Sequence, residues 1–174
     1  LHLQVKHIHL NHLIGYEDTY YKGIQDLAAA MHIQYDVTLH DYFSICPRTN
    51  LIDEKNIYCG EPDAATCNQC IKKNGSPVTR YKEEEPEVVA WRRMHQALLA
   101  GARCVYVPNK DVGLRLARYF PTIAFTERPH PELPIRLPEI AVPSKKPGIR
   151  KVALIGALHE LKWALVLKEL AIDA

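Results

Sequence analysis

Hydrophobic and polar positions change period several times along this chain. "LHLQVKHIHLNHL" opens with apolar Leu1, Leu3 and Val5, then shifts phase to Ile8 and Leu10. Period-two alternation predicts a strand, here running into a histidine-bearing loop. "EDTYYKGIQDLAAAM" carries Tyr20, Ile24, Leu27 and Met31 at helical spacing, with acids at its start. "IQYDVTL" is a short β-branched run and predicts a strand ending at His40. Strand, helix and strand in close order predict a parallel βαβ unit.

Residues 41–82 break the pattern. They are turn-rich, and a structureless loop of that length is unusual in a compact domain, so something should tie it down. "EEEPEVVAWRRMHQALLAGA" then begins with acids and a proline and ends near Gly101, which predicts a capped helix. "RCVYVP" predicts a buried strand. "NKDVGLRLARYF" predicts a helix with Asn109 as N-cap, and "TIAF" another short strand. The alternation points to an α/β fold: a Rossmann-like, doubly wound parallel sheet with helices on both faces and a Cys-rich loop insertion.

Six prolines, Pro129, Pro131, Pro134, Pro138, Pro143 and Pro147, mark a linker over 132–149. After it, "VALIG" predicts a strand and Leu161, Leu165 and Leu170 a helix, one βα unit over 150–174. The domain expectation is therefore 1–131, a linker, and the start of a second domain. The chain lacks an initiator Met and is read as a piece of a longer protein.

Composition narrows the function classes. The 174 residues are 47% hydrophobic and 24% charged, which is globular. A net charge of +2 gives no electrostatic reason to expect nucleic acid. There is no apolar run near 18 residues and no signal-peptide layout at Leu1 to Lys6. Five cysteines without such a leader point to a reducing, cytoplasmic setting, where a cysteine cluster is more often metal-binding than disulfide-bonded.

Three groups carry candidate chemistry. His40 and Asp41 close a predicted parallel strand, and ligands bind at the carboxyl ends of such strands. A capping pair with a purely structural role is the alternative. His7 and His9 share a strand face, and with His12 their spacing fits no simple metal motif. Cys46, Cys59, Cys67 and Cys70 have the form C-x12-C-x7-C-x2-C. The terminal C-x2-C can fill two corners of a tetrahedron, and thiolates select zinc by default. Four thiolates leave no open position, so such a zinc would be structural and would order the long loop. Uncoordinated thiols or two disulfides stay open. Cys104, inside an apolar strand, is expected in the core. The run "RYKEEEPE" reads as a solvated helix start.

Several stretches in order, "KHIHLNHLIG", "LAAAMHIQYDVTLHDYFSICPRTNLID", "CVYVPNKDVGLRLARYFPTIAF", "PHPE" and "VALIGALHELKW", resemble the retaining nucleotide-sugar glycosyltransferases of family 4 ("group 1"), which have the two-Rossmann-domain GT-B architecture. The resemblance implies an incomplete GT-B chain: most of an N-terminal domain and the first βα unit of the nucleotide-binding one. It implies that His40 and Asp41 face the transferred sugar, and that His9 and His12 form an acceptor-side rim. It implies that Gly156 and Lys162 hold the donor diphosphate at a helix N-terminus. Where the family has Lys-Gly, this chain has Lys162-Trp163. The family's Gly-rich first turn and E-x7-E element are absent from these residues. The implied donor is a nucleoside-diphosphate sugar, and the acceptor a glycan or lipid-linked sugar. No catalytic metal is expected, and the parent protein would work in the cytoplasm or at the inner face of a membrane. An uncovered apolar face on the last helix leaves room for a homodimer. Rival readings are a zinc-stabilised binding module and a His-based metallohydrolase.

Overall fold

The structure, a computed structural model, describes residues 4–16, 18–55, 57–76 and 84–129, all within one compact unit, Leu1–His130. The expected linker and the βα unit over 150–174, with Gly156, Lys162 and Trp163, lie outside the described residues. The element order is β1 (His7–Leu10), α1 (Asp18–Ala30), β2 (Gln34–Thr38), α2 (Ala64–Asn74), α3 (Val88–Gly101), β3 (Cys104–Val107), α4 (Lys110–Ala117) and β4 (Phe125–Glu127). The strands form one parallel sheet in the order β1-β2-β3-β4, flanked by helices, a Rossmann-like α/β fold.

Successive strands are joined by helical crossovers, because parallel neighbours cannot be connected by a tight turn. Alternation then gives the sheet two faces. Tyr35, Val37, Val105 and Val107 are buried on one face, with Ile8, Leu10 and Phe125 packed against the same core. Tyr21 and Ala28 of α1, Leu98 and Leu99 of α3, Leu116 of α4 and Phe120 fill that core. Fully burying side chains of this size stabilises by roughly 1.5–3 kcal/mol each. On the other face the same strands carry His7, His9, Asp36, Thr38, Cys104, Tyr106 and Thr126, paired across the ladder as Asp36 with Cys104 and Thr38 with Tyr106.

Helix ends follow the sequence signals. Asn109 accepts the amide of Val112, as an N-cap should. Glu87 caps α3, accepting from Val89 and Ala90, and Asn68 also donates to it. Asn68 and these amides hold the Glu87 carboxyl below the usual glutamate range. At the other end of α3 the Tyr35 hydroxyl donates to the carbonyl of Leu98 at 2.6 Å. Gly101 makes room for that hydroxyl: a Cβ there would stand 2.4 Å from it.

Four expectations need correction. The helix over 18–30 forms, but its buried stripe is Tyr21 and Ala28, while Tyr20 and Leu27 are 52% and 50% exposed and Met31 is exposed too. The apolar face is offset by one position, with Tyr21 packed edge-on against His95 and Trp91. The turn-rich loop expected over 41–82 contains a helix, α2. Cys104 is half-buried on the polar sheet face rather than in the core. The strand expected at "TIAF" forms at Phe125–Glu127, displaced toward the carboxyl side.

Candidate functional site

The carboxyl ends of β1 and β2 lie side by side, and this parallel pairing brings His12, His40 and Asp41 together. The backbone N–H of Ile14 donates to His12 Nδ1 at 3.1 Å. That nitrogen's lone pair is therefore engaged, so the neutral ring carries its proton on Nε2. Nε2 meets Asp41 Oδ2 at 3.0 Å, and the other oxygen, Oδ1, accepts the N–H of Phe43 at 2.8 Å. His40 Nε2 stands 3.8 Å from the same carboxylate. The His40 ring stacks on His12 with centroids 5.1 Å apart, and Phe43 backs His12 at 6.3 Å. His12 and His40 are a little over one-third exposed and Asp41 about one-quarter, so the cluster opens to solvent.

Beneath it lies a small cavity of about 40 Å³, lined by Leu10, Val37, Phe43, Ser44, His95 and Leu98 among others. The Ser44 hydroxyl is 1% exposed and has no hydrogen-bond partner among the described residues. Such a group is a candidate for a bound water or a ligand hydroxyl. The cavity has room for a few waters.

Along the polar sheet face the histidines repeat one relation. His7 Nε2 meets Asp36 Oδ2 at 3.1 Å, and His9 Nε2 meets Thr38 Oγ1 at 2.9 Å. His12 to Asp41 completes the series, and each partner is 29 residues on. The ladder register places His7 beside Gln34, so each histidine reaches the residue two beyond its own partner. Asp36 is buried and also clamped by Arg103, through Nε at 3.0 Å and an NH2 at 2.6 Å. Those guanidinium bonds, ahead of the His7 contact, hold the Asp36 carboxyl below the usual aspartate range.

Two three-residue groups, His7/His9/Asp36 and His12/His40/Asp41, have ligand atoms within 4.8 Å of one another. Their hydrogen bonds bear on metal binding. At the first, Arg103 already supplies the positive charge that a cation would bring. At the second, a metal on His12 Nε2 would move the ring proton to Nδ1, against the N–H of Ile14. Both groups are thereby better built as proton-bearing networks than as cation sites.

The four cysteines of the loop converge elsewhere. Cys46 follows a tight turn in which Ile45 and Cys46 donate to Tyr42 O at 3.0 and 2.9 Å. Cys59 sits where the chain doubles back, its N–H on Leu51 O at 2.9 Å, beside the bridge of Ile52 and Tyr58. Cys67 and Cys70 lie one turn apart on α2. All four line one cavity of about 220 Å³, and none is in a disulfide. Burial raises the Cys46, Cys59 and Cys67 thiols above the ordinary cysteine value.

Sequence reasoning thus identified His12, His40 and Asp41, which the fold brings together, and the four cysteines, which it also brings together. His9 is held to Thr38 on the sheet, stacked on Tyr106 at 6.1 Å, and stands outside the cluster. Two residues went unremarked. Ser44 carries no pattern signal. Glu61 is a buried hub: its side chain is 3% exposed and receives Arg115, Arg118 at 2.8 and 2.9 Å, Tyr119 at 2.8 Å, and Tyr58. Only its position in "CGEPD", a glycine-proline turn, hinted that it is fixed. No family model, curated protein or solved structure matches this chain.

Proposed function

We propose that this chain is part of a retaining glycosyltransferase that takes a sugar from a nucleoside diphosphate and passes it to a glycan or lipid-linked acceptor. The observation that carries the reading is the His12–His40–Asp41 cluster at the carboxyl ends of two adjacent parallel strands, where open α/β sheets bind ligands. The sequence resemblance supplies the reaction class, and the cluster supplies the chemistry it needs on the sugar side.

In such a transfer the bond from the anomeric carbon to the diphosphate breaks, and the acceptor oxygen takes its place. Positive charge builds on the sugar ring and negative charge on the departing phosphate. Asp41, oriented by Phe43 N–H and by His12, sets a fixed carboxylate beside the sugar face. His40, stacked on His12, offers a ring nitrogen to a sugar hydroxyl. His12 is a positioning residue, held between Ile14 and Asp41. Gly156 and Lys162 would hold the diphosphate, with a helix N-terminus and an ammonium neutralising the leaving group. The parent enzyme would act in the cytoplasm, at the inner face of a membrane where its acceptor is lipid-linked. Among the described residues no helix is long and apolar enough to cross a membrane.

The test is transfer and donor hydrolysis by the parent protein over a panel of nucleoside-diphosphate sugars. His40→Ala and Asp41→Asn should each lower kcat by about a hundredfold or more, as loss of an electrostatic or proton-handling group does. Circular dichroism should be unchanged. Full activity in both variants would sink the assignment. Metal lost with His7→Ala or His9→Ala rather than with Cys67→Ser would favour the metallohydrolase instead.

A further inference from the structure

We propose that Cys46, Cys59, Cys67 and Cys70 close on a single zinc ion as a structural tetrathiolate centre, independent of the chemistry at His40 and Asp41. The inference does not rest on the glycosyltransferase reading.

The first observation is convergence. The ligands come from three separate pieces of chain: a turn after β2, a doubled-back strand end and a helix. Spread over 25 residues of sequence, they line one cavity. No three of the sulfurs stand within 4.8 Å of one another, so the four would draw in from the cavity walls onto the ion. Cys67 and Cys70, three apart on α2, can take two adjacent corners of a tetrahedron, with Cys46 and Cys59 opposite. Leu51, Ile71 and Val88 supply apolar walls to the same cavity.

The second observation is charge. Zinc with four thiolates is a doubly negative centre, and burying it requires compensation. Two guanidiniums are already aimed at the sulfurs. Arg48 donates to Cys70 Sγ at 3.2 Å and Arg92 to Cys67 Sγ at 3.7 Å. Neither is a loose surface side chain. Arg48 is also fixed on Ile52 O at 2.7 Å. Arg92 is fixed on Ile45 O at 2.9 Å and lies over the Tyr119 ring at 4.5 Å. Two fixed cations match the centre's charge, whereas a pair of disulfides would give them nothing to neutralise.

The third observation is the backbone. Thr49, Leu51 and Glu61 are non-glycine residues at positive φ, and Gly60 joins them, all between or beside the ligands. In the three non-glycine residues such conformations persist only where the surroundings over-determine them. A metal-linked loop meets that condition. Zinc binding would displace the thiol protons, so affinity should fall as pH is lowered.

The experiment measures metal in the full chain purified under reducing conditions, then replaces zinc with Co²⁺. One zinc per chain is expected. Cobalt should give thiolate-to-metal charge-transfer bands and the intense visible bands of tetrahedral tetrathiolate coordination. Cys104→Ser and His40→Ala should keep full metal content, while Cys46→Ser and Cys67→Ser should lose it or change the cobalt spectrum. Because a cysteine variant can fail to fold, the wild-type chain is also titrated with an organomercurial. One zinc should leave as four thiols react, and reaction of the fifth, Cys104, should release none. Absence of stoichiometric zinc and of charge-transfer bands, zinc that leaves with His40→Ala, or the four thiols recovered as disulfides under reducing conditions would each overturn the proposal.

Discussion

Replacing Glu61 with glutamine keeps the side chain's size and removes its charge, which makes it a sharp probe of how the cysteine loop is anchored. The carboxylate is 3% exposed and faces two guanidiniums and two phenols. Arg115 is mostly buried at 21% exposure, whereas Arg118 is 58% exposed. Breaking a buried pair from one side costs about 3–5 kcal/mol, because the remaining charge stays desolvated. That cost applies to Arg115. Arg118 can turn to water, so its share is about 0–1 kcal/mol. Glutamine still offers one carbonyl oxygen, which recovers roughly one hydrogen bond, or about 1 kcal/mol. The net expectation is a loss of about 2–5 kcal/mol. For a unit of this size that lowers Tm by roughly 10 °C. The assay is urea unfolding followed by far-ultraviolet circular dichroism, with thermal melts alongside. The m-value should not change, since the surface exposed on unfolding is the same. A double-mutant cycle should give a large coupling between Glu61 and Arg115 and a small one between Glu61 and Arg118. A loss below about 0.5 kcal/mol, typical of ordinary surface changes, would refute the reasoning, for it would mean that the hub is solvated.

Two further outcomes can be checked on the same footing. Asp36 has its carboxyl lowered in the folded chain by Arg103, so it contributes stability above the unfolded aspartate range near pH ~4, and that stability is lost as pH falls through the folded value below it. Arg103→Gln should therefore be most destabilising at neutral pH and converge on wild type in acid; parallel curves from pH 7 to 2 would contradict this. Gly101→Ala drives a methyl into the Tyr35 hydroxyl, which is tied to Leu98, and should cost about 1–3 kcal/mol by urea melts; the same change in a Tyr35→Phe background should cost less, and an equal cost would place the strain elsewhere.

Much of the fold was legible because local signals agreed with the global one. Asn109 as N-cap, the stop near Gly101 and the β-branched run at "QYDVT" all sit where the pattern puts them. Helix α2 was missed although its signals are present: Asp63 caps it, Lys72 and Lys73 fill its last turn, and Gly75 ends it. Its apolar stripe is too sparse for periodicity to reveal it, because a single buried residue, Ile71, anchors it. The site was legible only in part. His40 and Asp41 stood out as the end of a strand, but their meeting with His12 depends on which strand lies beside β2, a long-range fact. Ser44 and Glu61 gain their character wholly from burial, which no local window reports.

The spacing of the histidines has a consequence for how β1 finds its place. A strand of four residues carries little pairing energy, and sliding it by two leaves every apolar side chain on the correct face. Hydrophobic matching alone would accept that error. The gaps between His7, His9 and His12 are two and three, and so are those between Asp36, Thr38 and Asp41. Slid one way, His12 would face Leu39; slid the other, His9 would face His40 and His12 would face Phe43. The two sets of teeth mesh in one position, so these polar pairs work as a checksum on alignment that the greasy side of the sheet cannot provide.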